Sequence, residues 1–239
     1  MKKLEDTYHW GPEADFLVIG SGVAGLRAAI ELSQHGRVLI ITKGSRRQSN
    51  SVYAQGGVAV ALSGEDDVNL HFSDTIKAGH QLGREDAARA LVEEGPTRIQ
   101  ELIDWGTQFD KVDGKFAFAK EGAHSRHRGL RARGDATGIE MIRVLLEQAR
   151  KQTQIEWFDH HFTIDLLIVG GQCWGALVVN EGTGRLQVLP ARAVILTTGG
   201  AGQVYARTTN QPNATGDGFA MAYRDGDILE DMELTHIHI

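Results

Sequence analysis

The sequence predicts an α/β fold built on a parallel sheet. Two apolar segments of strand length, residues 15–19 and 37–42, flank an apolar-periodic helical segment at residues 23–32. A further apolar segment, residues 193–197, also runs into small residues at its end. The order strand, helix, strand predicts neighbouring parallel strands, with the helix covering one face of the sheet.

The first strand ends in a glycine-rich turn that opens the helix, Gly20-Ser21-Gly22-Val23-Ala24-Gly25. In such a Gly-x-Gly-x-x-Gly pattern the first glycine permits the tight turn and the second lets backbone N–H groups approach a pyrophosphate. The third glycine lets the helix pack closely on the strand, and the positive end of the helix faces the phosphate charge. This context predicts a Rossmann-like dinucleotide-binding unit, with a purely structural turn as the alternative.

Length and composition exclude several classes of protein. The chain has 239 residues, 41% of them hydrophobic, so it can bury one large core or two modest ones. The net charge of −6 argues against nonspecific nucleic-acid binding. No stretch approaches the roughly 18 apolar residues of a membrane helix, and the N-terminal residues carry no secretory pattern. We therefore expect a cytoplasmic protein that binds neither nucleic acid nor membrane, and the single cysteine, Cys173, fits a reducing compartment.

The rest of the chain predicts a helical insertion and, later, a β-meander. A hairpin is predicted around Asp113-Gly114, and the meander over residues 155–189 is broken at Gly170-Gly171 and again at 181–184. Predicted helices cover residues 66–79, 84–94, 96–105, 137–150 and 219–224, and residues 227–239 are predicted as a strand.

The residues after the second strand indicate which nucleotide the chain binds. A carboxylate about 20 positions past the glycines binds the ribose in NAD sites, but this chain has Thr42-Lys43-Gly44 there. A simple NAD site is therefore disfavoured, and Lys43 is expected near a pyrophosphate or ribose. The insertion, the meander and the second strand end at Thr198-Gly199-Gly200 indicate a larger, FAD-binding plan. The predicted fold is thus an α/β, Rossmann-like FAD-binding domain with a central parallel sheet, a helical insertion and a β-meander.

An ordered set of short motifs resembles the succinate dehydrogenase, fumarate reductase and L-aspartate oxidase flavoprotein family. The resemblance extends from about residue 15 to the end of the chain. The motifs are Gly20 to Gly25, Thr42-Lys43, Ala54-Gln55-Gly56-Gly57, Asp135-Ala136-Thr137-Gly138, Thr198-Gly199-Gly200-Ala201-Gly202 and Thr215-Gly216-Asp217-Gly218.

This resemblance implies FAD as the cofactor and a set of residues that bind it. Members with covalently attached flavin carry a histidine where this chain has Asn50, so the FAD is expected to be noncovalent. The implied FAD-binding residues are Gly20, Ser21, Gly22, Val23, Ala24, Gly25, Thr42, Lys43, Asn50, Ser51, Ala54, Gln55, Gly56, Gly57, His161, Phe162, Thr198, Gly199, Gly200 and Asp217.

The segment from Glu121 to Arg128 is similar to the Glu-Gly-Gly-His-Ser loop of the L-aspartate oxidases in this family. The resemblance implies that Glu121 lies near the substrate amine, and that His238 takes the place of a histidine that binds a substrate carboxylate. A carboxylate suits an ammonium group and repels succinate. The implied reaction is oxidation of L-aspartate to iminoaspartate, with oxygen or fumarate as acceptor. This reaction belongs to NAD and quinolinate biosynthesis, and quinolinate synthase is a candidate partner.

In this family the chain continues with a capping domain, which carries the proposed catalytic arginine, and a helical C-terminal domain. We therefore expect residues 1–239 to be the N-terminal portion of an FAD-binding domain, lacking that arginine and turning over aspartate poorly by itself. The alternatives are a soluble fumarate reductase or succinate dehydrogenase-type flavoprotein, and a non-catalytic FAD-binding fragment.

Several histidines admit a second interpretation. His236 with His238, and His124 with His127, have spacings that could chelate a metal, but no third ligand is evident, so we expect no metal site. His161 is interpreted either as part of a polar bend or as a contact to the adenine end of the cofactor.

Overall fold

Apolar strand segments separated by helices form a mostly parallel sheet in the computed structural model, which describes residues 8–230 and 232. The chain divides into two units. Unit 1 comprises Met1–Val52 and Leu145–Ile239, and unit 2 comprises Tyr53–Val144.

The strands among the described residues range from 2 to 11 residues in length. The strands are β1 (His9–Trp10), β2 (Ala14–Ile19), β3 (Val38–Thr42), β4 (Val58–Ala59), β5 (Lys111–Val112), β6 (Lys115–Phe116), β7 (Phe118–Ala119), β8 (Gly129–Leu130), β9 (Ile155–Asp159), β10 (His161–Val169), β11 (Gln172–Asn180) and β12 (Leu186–Leu196).

In the part of the chain that the structure describes, five α-helices and one turn of 3₁₀ helix, Gly202–Val204, connect these strands. The α-helices are α1 (Val23–Leu32), α2 (Val68–Ala78), α3 (Glu85–Asp104), α4 (Thr137–Lys151) and α5 (Asp217–Arg224).

A seven-stranded sheet forms unit 1, in the order β10-β11-β12-β2-β3-β9, with β1 paired to β12. Strands β12, β2, β3 and β9 run parallel to one another, whereas β10, β11 and the first half of β12 form an antiparallel meander. β12 serves both parts, because it pairs with β11 up to Pro190 and with β2 from Ala191 onward. The predicted meander and the predicted strand at 193–197 therefore share one continuous strand.

The core of unit 1 follows from the two-residue period of its strands. Leu17 and Ile19 of β2 and Leu39 and Ile41 of β3 are buried in one cluster with residues of β11 and β12. Val18 alternates with them on the opposite face, where α1 packs against β2 and β3. Burial on both faces explains why the sequence of these strands is continuously apolar.

Unit 2 contains helices α2 and α3, the small sheet β4-β8-β7 and the hairpin β5-β6. The hairpin turns at Asp113 and Gly114, which both have positive φ angles, as the Asp-Gly signal predicts.

Two expectations about secondary structure were wrong. Residues 84–94 and 96–105 form one helix, α3, which contains Pro96. The proline removes one backbone hydrogen bond, but Val92, Ile99 and Leu102 are buried on both sides of it, and this packing maintains the helix. Residues 227–230 are not a strand, and residue 231 and residues 233–239 lie outside the described residues.

Candidate cofactor-binding site

The glycine turn brings β2 and α1 into close contact. Gly20 has a φ of +117°, and a Cβ atom there would lie 2.2 Å from the carbonyl oxygen of Thr197. A Cβ on Gly25 would lie 2.0 Å from the carbonyl oxygen of Gly20. Only glycine fits at these two positions, since the neighbouring atoms belong to the backbone.

The N-terminus of α1 is suited to an anion. Gly22 is the N-cap, with an extended backbone and no capping side chain, and the first turn contains no acidic residue. The N–H of Val23 donates to Ser51 Oγ at 3.3 Å. The first N–H groups of a helix have no acceptor within the helix and carry its positive partial charge.

A cavity of about 250 Å³ opens at the carboxyl ends of the parallel strands of unit 1. This edge of a parallel sheet is where α/β folds bind their ligands. The predicted residues that line the cavity are Gly20, Ser21, Gly22, Val23, Ala24, Thr42, Lys43, Asn50, Ser51, His161, Phe162, Thr198, Gly199, Gly200 and Asp217.

Lys43 and Asp217 form an ion pair in this cavity. Lys43 Nζ donates to Asp217 Oδ2 at 2.5 Å and also to Thr215 Oγ1. Both charged side chains are about three-quarters buried, with 24% of each exposed. A carboxylate therefore does lie beside the end of β3, supplied by the start of α5 rather than by the residues that follow β3.

α5 approaches the end of β12 closely. A Cβ on Gly218 would lie 1.9 Å from Thr198 Oγ1, so the glycine after Asp217 allows α5 to pack against the strand end. The Gly-Asp-Gly sequence thus sets the position of the Asp217 carboxylate at the cavity wall.

Residues at the start of β10 form another part of the wall. His161 Nδ1 lies 2.8 Å from the carbonyl oxygen of Asp159, and its Nε2 lies 3.1 Å from Asn180 Nδ2. The carbonyl accepts only from a protonated Nδ1, so Nε2 is assigned as the acceptor of the Asn180 amide. Neighbouring Phe162 has Lys43 Nζ at 6.0 Å from its ring centre.

Of the other predicted FAD-binding residues, Gly25 packs against Gly20 without lining the cavity, and the rest lie in unit 2. Ala54, Gln55 and Gly56 are exposed, and a Cβ on Gly57 would lie 2.8 Å from the carbonyl oxygen of Leu130. These four residues do not line the cavity of unit 1.

Glu121, the predicted contact to the substrate amine, is also in unit 2. Its Oε1 accepts from Arg131 Nη2 at 2.8 Å, and both side chains are nearly half exposed. The second predicted substrate contact, His238, lies outside the described residues.

The loop that carries Glu121 is anchored by a buried ionic network. Ser125 donates to Asp74 Oδ2 through its backbone N–H at 2.7 Å and through its hydroxyl at 2.8 Å. Arg128 is fully buried, donates to Asp74 at 2.8 Å and forms two hydrogen bonds with the buried Asp66. Burial opposes the charge of Asp74, but the bonds from Ser125 and the charge of Arg128 bring its pKa below the usual range.

Several residues of the cavity wall were not predicted from the sequence. Thr197 was recognisable, because it is the last residue of a predicted strand. Gln48 and Asn213 were not, because their positions depend on how two loops distant in sequence meet. The missed residues are Ile19, Ile41, Gln48, Ser49, Thr163, Thr197, Asn213, Ala214 and Met221.

The residues of the cavity fit a dinucleotide. Ser21 is 3% exposed, and its hydroxyl has no hydrogen-bond partner among the residues that the structure describes. It lies within the glycine turn, next to the start of α1, where the N-cap Gly22 has no side chain and a phosphate oxygen can accept hydrogen bonds. Over the same residues, no group of three or more acidic, histidine or cysteine side chains is arranged to hold a metal ion. Within them, too, no helix is both long and apolar enough to cross a membrane.

Comparison with known families agrees with this geometry. The family model described as FAD binding domain matches residues 15–239, so the chain belongs to this family of FAD-binding domains. FAD is therefore the cofactor, since the matched family is one of FAD-binding domains.

The chain is also similar to named L-aspartate oxidases and to a solved fumarate reductase structure. The chain is 44% identical over 229 residues to L-aspartate oxidase 2-a, chloroplastic, of Nicotiana tabacum, covering 94% of this chain and 35% of the relative. It is 39% identical to the L-aspartate oxidase of Pseudomonas aeruginosa, covering 94% of this chain and 44% of that protein. Among solved structures, a quinol fumarate reductase of E. coli superposes with a TM-score of 0.87 at 34% identity, over 90% of this chain and 37% of the other. The chain therefore spans 35 to 44% of the length of these proteins.

Proposed function

We propose that this chain is the FAD-binding part of an oxidoreductase that converts L-aspartate to iminoaspartate. The observation that carries the proposal is Glu121, an exposed carboxylate on an anchored loop, in a chain 44% identical to a named L-aspartate oxidase. Residues 15–239 would form the N-terminal portion of the FAD-binding domain of the whole protein.

The cavity residues have separate roles in this proposal. The glycine turn and Ser21 receive the pyrophosphate at the start of α1, and Lys43 with Asp217 receives the adjoining ribose at the end of β3. His161 and Phe162 lie beyond β3 and receive the adenine end. Asn50 has no ring nitrogen that could bond to the flavin, so the FAD is held noncovalently.

In this proposal, binding of the substrate depends on charge. The ammonium group of L-aspartate pairs with the Glu121 carboxylate, and Arg131 beside it supplies a cation for an adjacent substrate carboxylate. When bound, FAD supplies a two-electron oxidation that removes the Cα hydrogen as hydride. The amine nitrogen loses one proton as the C=N bond forms, and oxygen or fumarate takes the electrons in the end.

A soluble fumarate reductase is the second candidate, favoured by the likeness to the E. coli quinol fumarate reductase. Its substrates, fumarate and succinate, have two carboxylates and no ammonium. Glu121 would repel them, so this candidate ranks behind the first.

A Glu121→Gln variant distinguishes the two candidates. In the FAD-loaded chain, we expect L-aspartate to perturb or bleach the flavin absorption under anaerobic conditions at lower concentration than succinate. The variant should need at least about 10-fold more L-aspartate, because the charged acceptor of the substrate ammonium group is replaced by a neutral one.

The matched control is Glu181→Gln, which neutralises another exposed glutamate and should leave both ligand responses unchanged. A wild-type chain that responds to succinate before L-aspartate, or a Glu121→Gln variant with an unchanged preference, would contradict the proposal. The cytoplasmic location and a partnership with quinolinate synthase stay predictions.

A further inference from the structure

Two segments of unit 1 that are about 160 residues apart meet at the wall of the FAD cavity. One is residues 48–51, which follow β3, and the other is residues 210–213, which precede α5. We propose that the amide hydrogen bonds between them form a clasp that retains the noncovalently bound FAD. The inference rests on the FAD site and is independent of the substrate.

The first link of the clasp uses both ends of one side-chain amide. Asn50 Nδ2 donates to Asn210 Oδ1 at 2.8 Å. Asn50 Oδ1 accepts from the backbone N–H of Gln211 at 3.1 Å. The Asn50 side chain therefore bridges a side chain and the backbone of the opposite segment.

A second link lies next to the first. Asn213 Nδ2 donates to the backbone carbonyl of Gln48 at 3.1 Å. Gln48, Asn50 and Asn213 all line the cavity, so the two links join opposite parts of its wall. Asn210 does not line the cavity, so a change of its side chain removes no direct contact to FAD.

Each side of the clasp is attached to the body of unit 1. Ser51 Oγ accepts from the N–H of Val23, at the start of α1. On the other side, Gln203 Nε2 donates to the carbonyl of Asn210 at 2.7 Å, and Asn210 packs so tightly against Gly202 that a Cβ there would lie 2.5 Å from its Cγ. Both segments are held in place, so the hydrogen bonds between them are the contacts that break most easily.

The linking bonds are exposed to solvent. Exposed bonds of this kind contribute little to global stability, and local regions open at a much lower free-energy cost than the whole fold. The clasp can therefore open and close without unfolding of the sheet, and its opening governs how fast FAD leaves.

Asn210→Ala tests the clasp, with Asn210→Asp as the matched variant. Alanine removes the acceptor for Asn50 Nδ2, whereas aspartate keeps an oxygen there. We expect the rate constant of FAD dissociation, followed by the rise of free-flavin fluorescence after dilution, to increase about 2- to 10-fold in Asn210→Ala. It should stay near the wild-type value in Asn210→Asp.

A double-mutant cycle tests the pairing itself. Asn50→Ala combined with Asn210→Ala should dissociate about as fast as Asn50→Ala, because the second change removes a bond that is already lost. Asn69→Ala, an exposed asparagine on α2, is the control and should not change the rate. The thermal midpoint of each apo variant should match that of the wild type. If the asparagines only stabilised the fold, their replacement would lower this midpoint.

Equal dissociation rates in wild type and Asn210→Ala would overturn the inference, and so would equal acceleration by the alanine and aspartate variants. Fully additive effects in the cycle would also overturn it. A wild-type chain that takes up no FAD, seen from its flavin spectrum, would refute the FAD site together with the clasp. An unchanged preference in Glu121→Gln refutes only the proposed substrate.

Discussion

At the residue scale, the position of Lys43 could be predicted from the sequence, whereas its ion pair with Asp217 could not. The sequence predicts that Lys43 lies near the nucleotide, and it lines the cavity. The sequence also indicates that no carboxylate follows β3. This is correct for the neighbouring residues in the chain, but the folded structure places a carboxylate beside the end of β3. Asp217, which is 174 positions further on, supplies that carboxylate. Charge pairs between distant residues depend on how elements pack, and a single sequence does not encode them in any local pattern.

At the same scale, Gly25→Ala should destabilise the protein strongly. The added Cβ would lie 2.0 Å from the carbonyl oxygen of Gly20 and 2.7 Å from Thr197 Oγ1, and the backbone atom cannot move without separating β2 from α1. We expect a loss of about 3 kcal/mol or more in the free energy of unfolding, measured by urea denaturation. Gly64→Ala is the control, because nothing lies within 4 Å of its Cβ position. A similar stability for both variants would show that the turn is looser than described.

At the scale of elements, helix α2 carries a buried histidine beside the network that anchors the Glu121 loop. His71 is 8% exposed, and its ring lies 6.0 Å from that of His124. Burial first, then the charges of Arg128 and His124, lower its pKa below the usual value, against the opposing effect of Asp66 and Asp74. This arrangement was not predicted, because α2 was recognised by its periodicity and not by its neighbours.

The lowered pKa has a consequence for stability. Below about pH 6.5 the unfolded chain binds a proton at this histidine more readily than the folded chain, so the free energy of unfolding falls as the pH drops. His71→Leu should therefore flatten the pH dependence below that value in urea titrations. His35→Leu, at an exposed position, should keep the wild-type slope. Identical slopes for wild type and His71→Leu would contradict the assignment.

For the whole molecule, the sequence predicts the parallel order of β2 and β3, the meander and most of the cavity wall. These features depend on local patterns: apolar runs, glycine turns and strand ends. The sequence does not predict that one strand, β12, joins the meander to the parallel strands, nor that residues 48–51 meet residues 210–213. Such contacts arise from packing between elements that are far apart in the chain.

We propose that unit 1 binds FAD noncovalently in the cavity at the glycine turn. The most direct measurement is a titration of the purified chain with FAD, followed by flavin fluorescence and by acid precipitation of the complex. We predict uptake of a single FAD per chain, no comparable uptake of NAD, and complete release of the flavin into the acid supernatant. Absence of FAD uptake, or flavin that stays with the precipitated protein, would contradict the account.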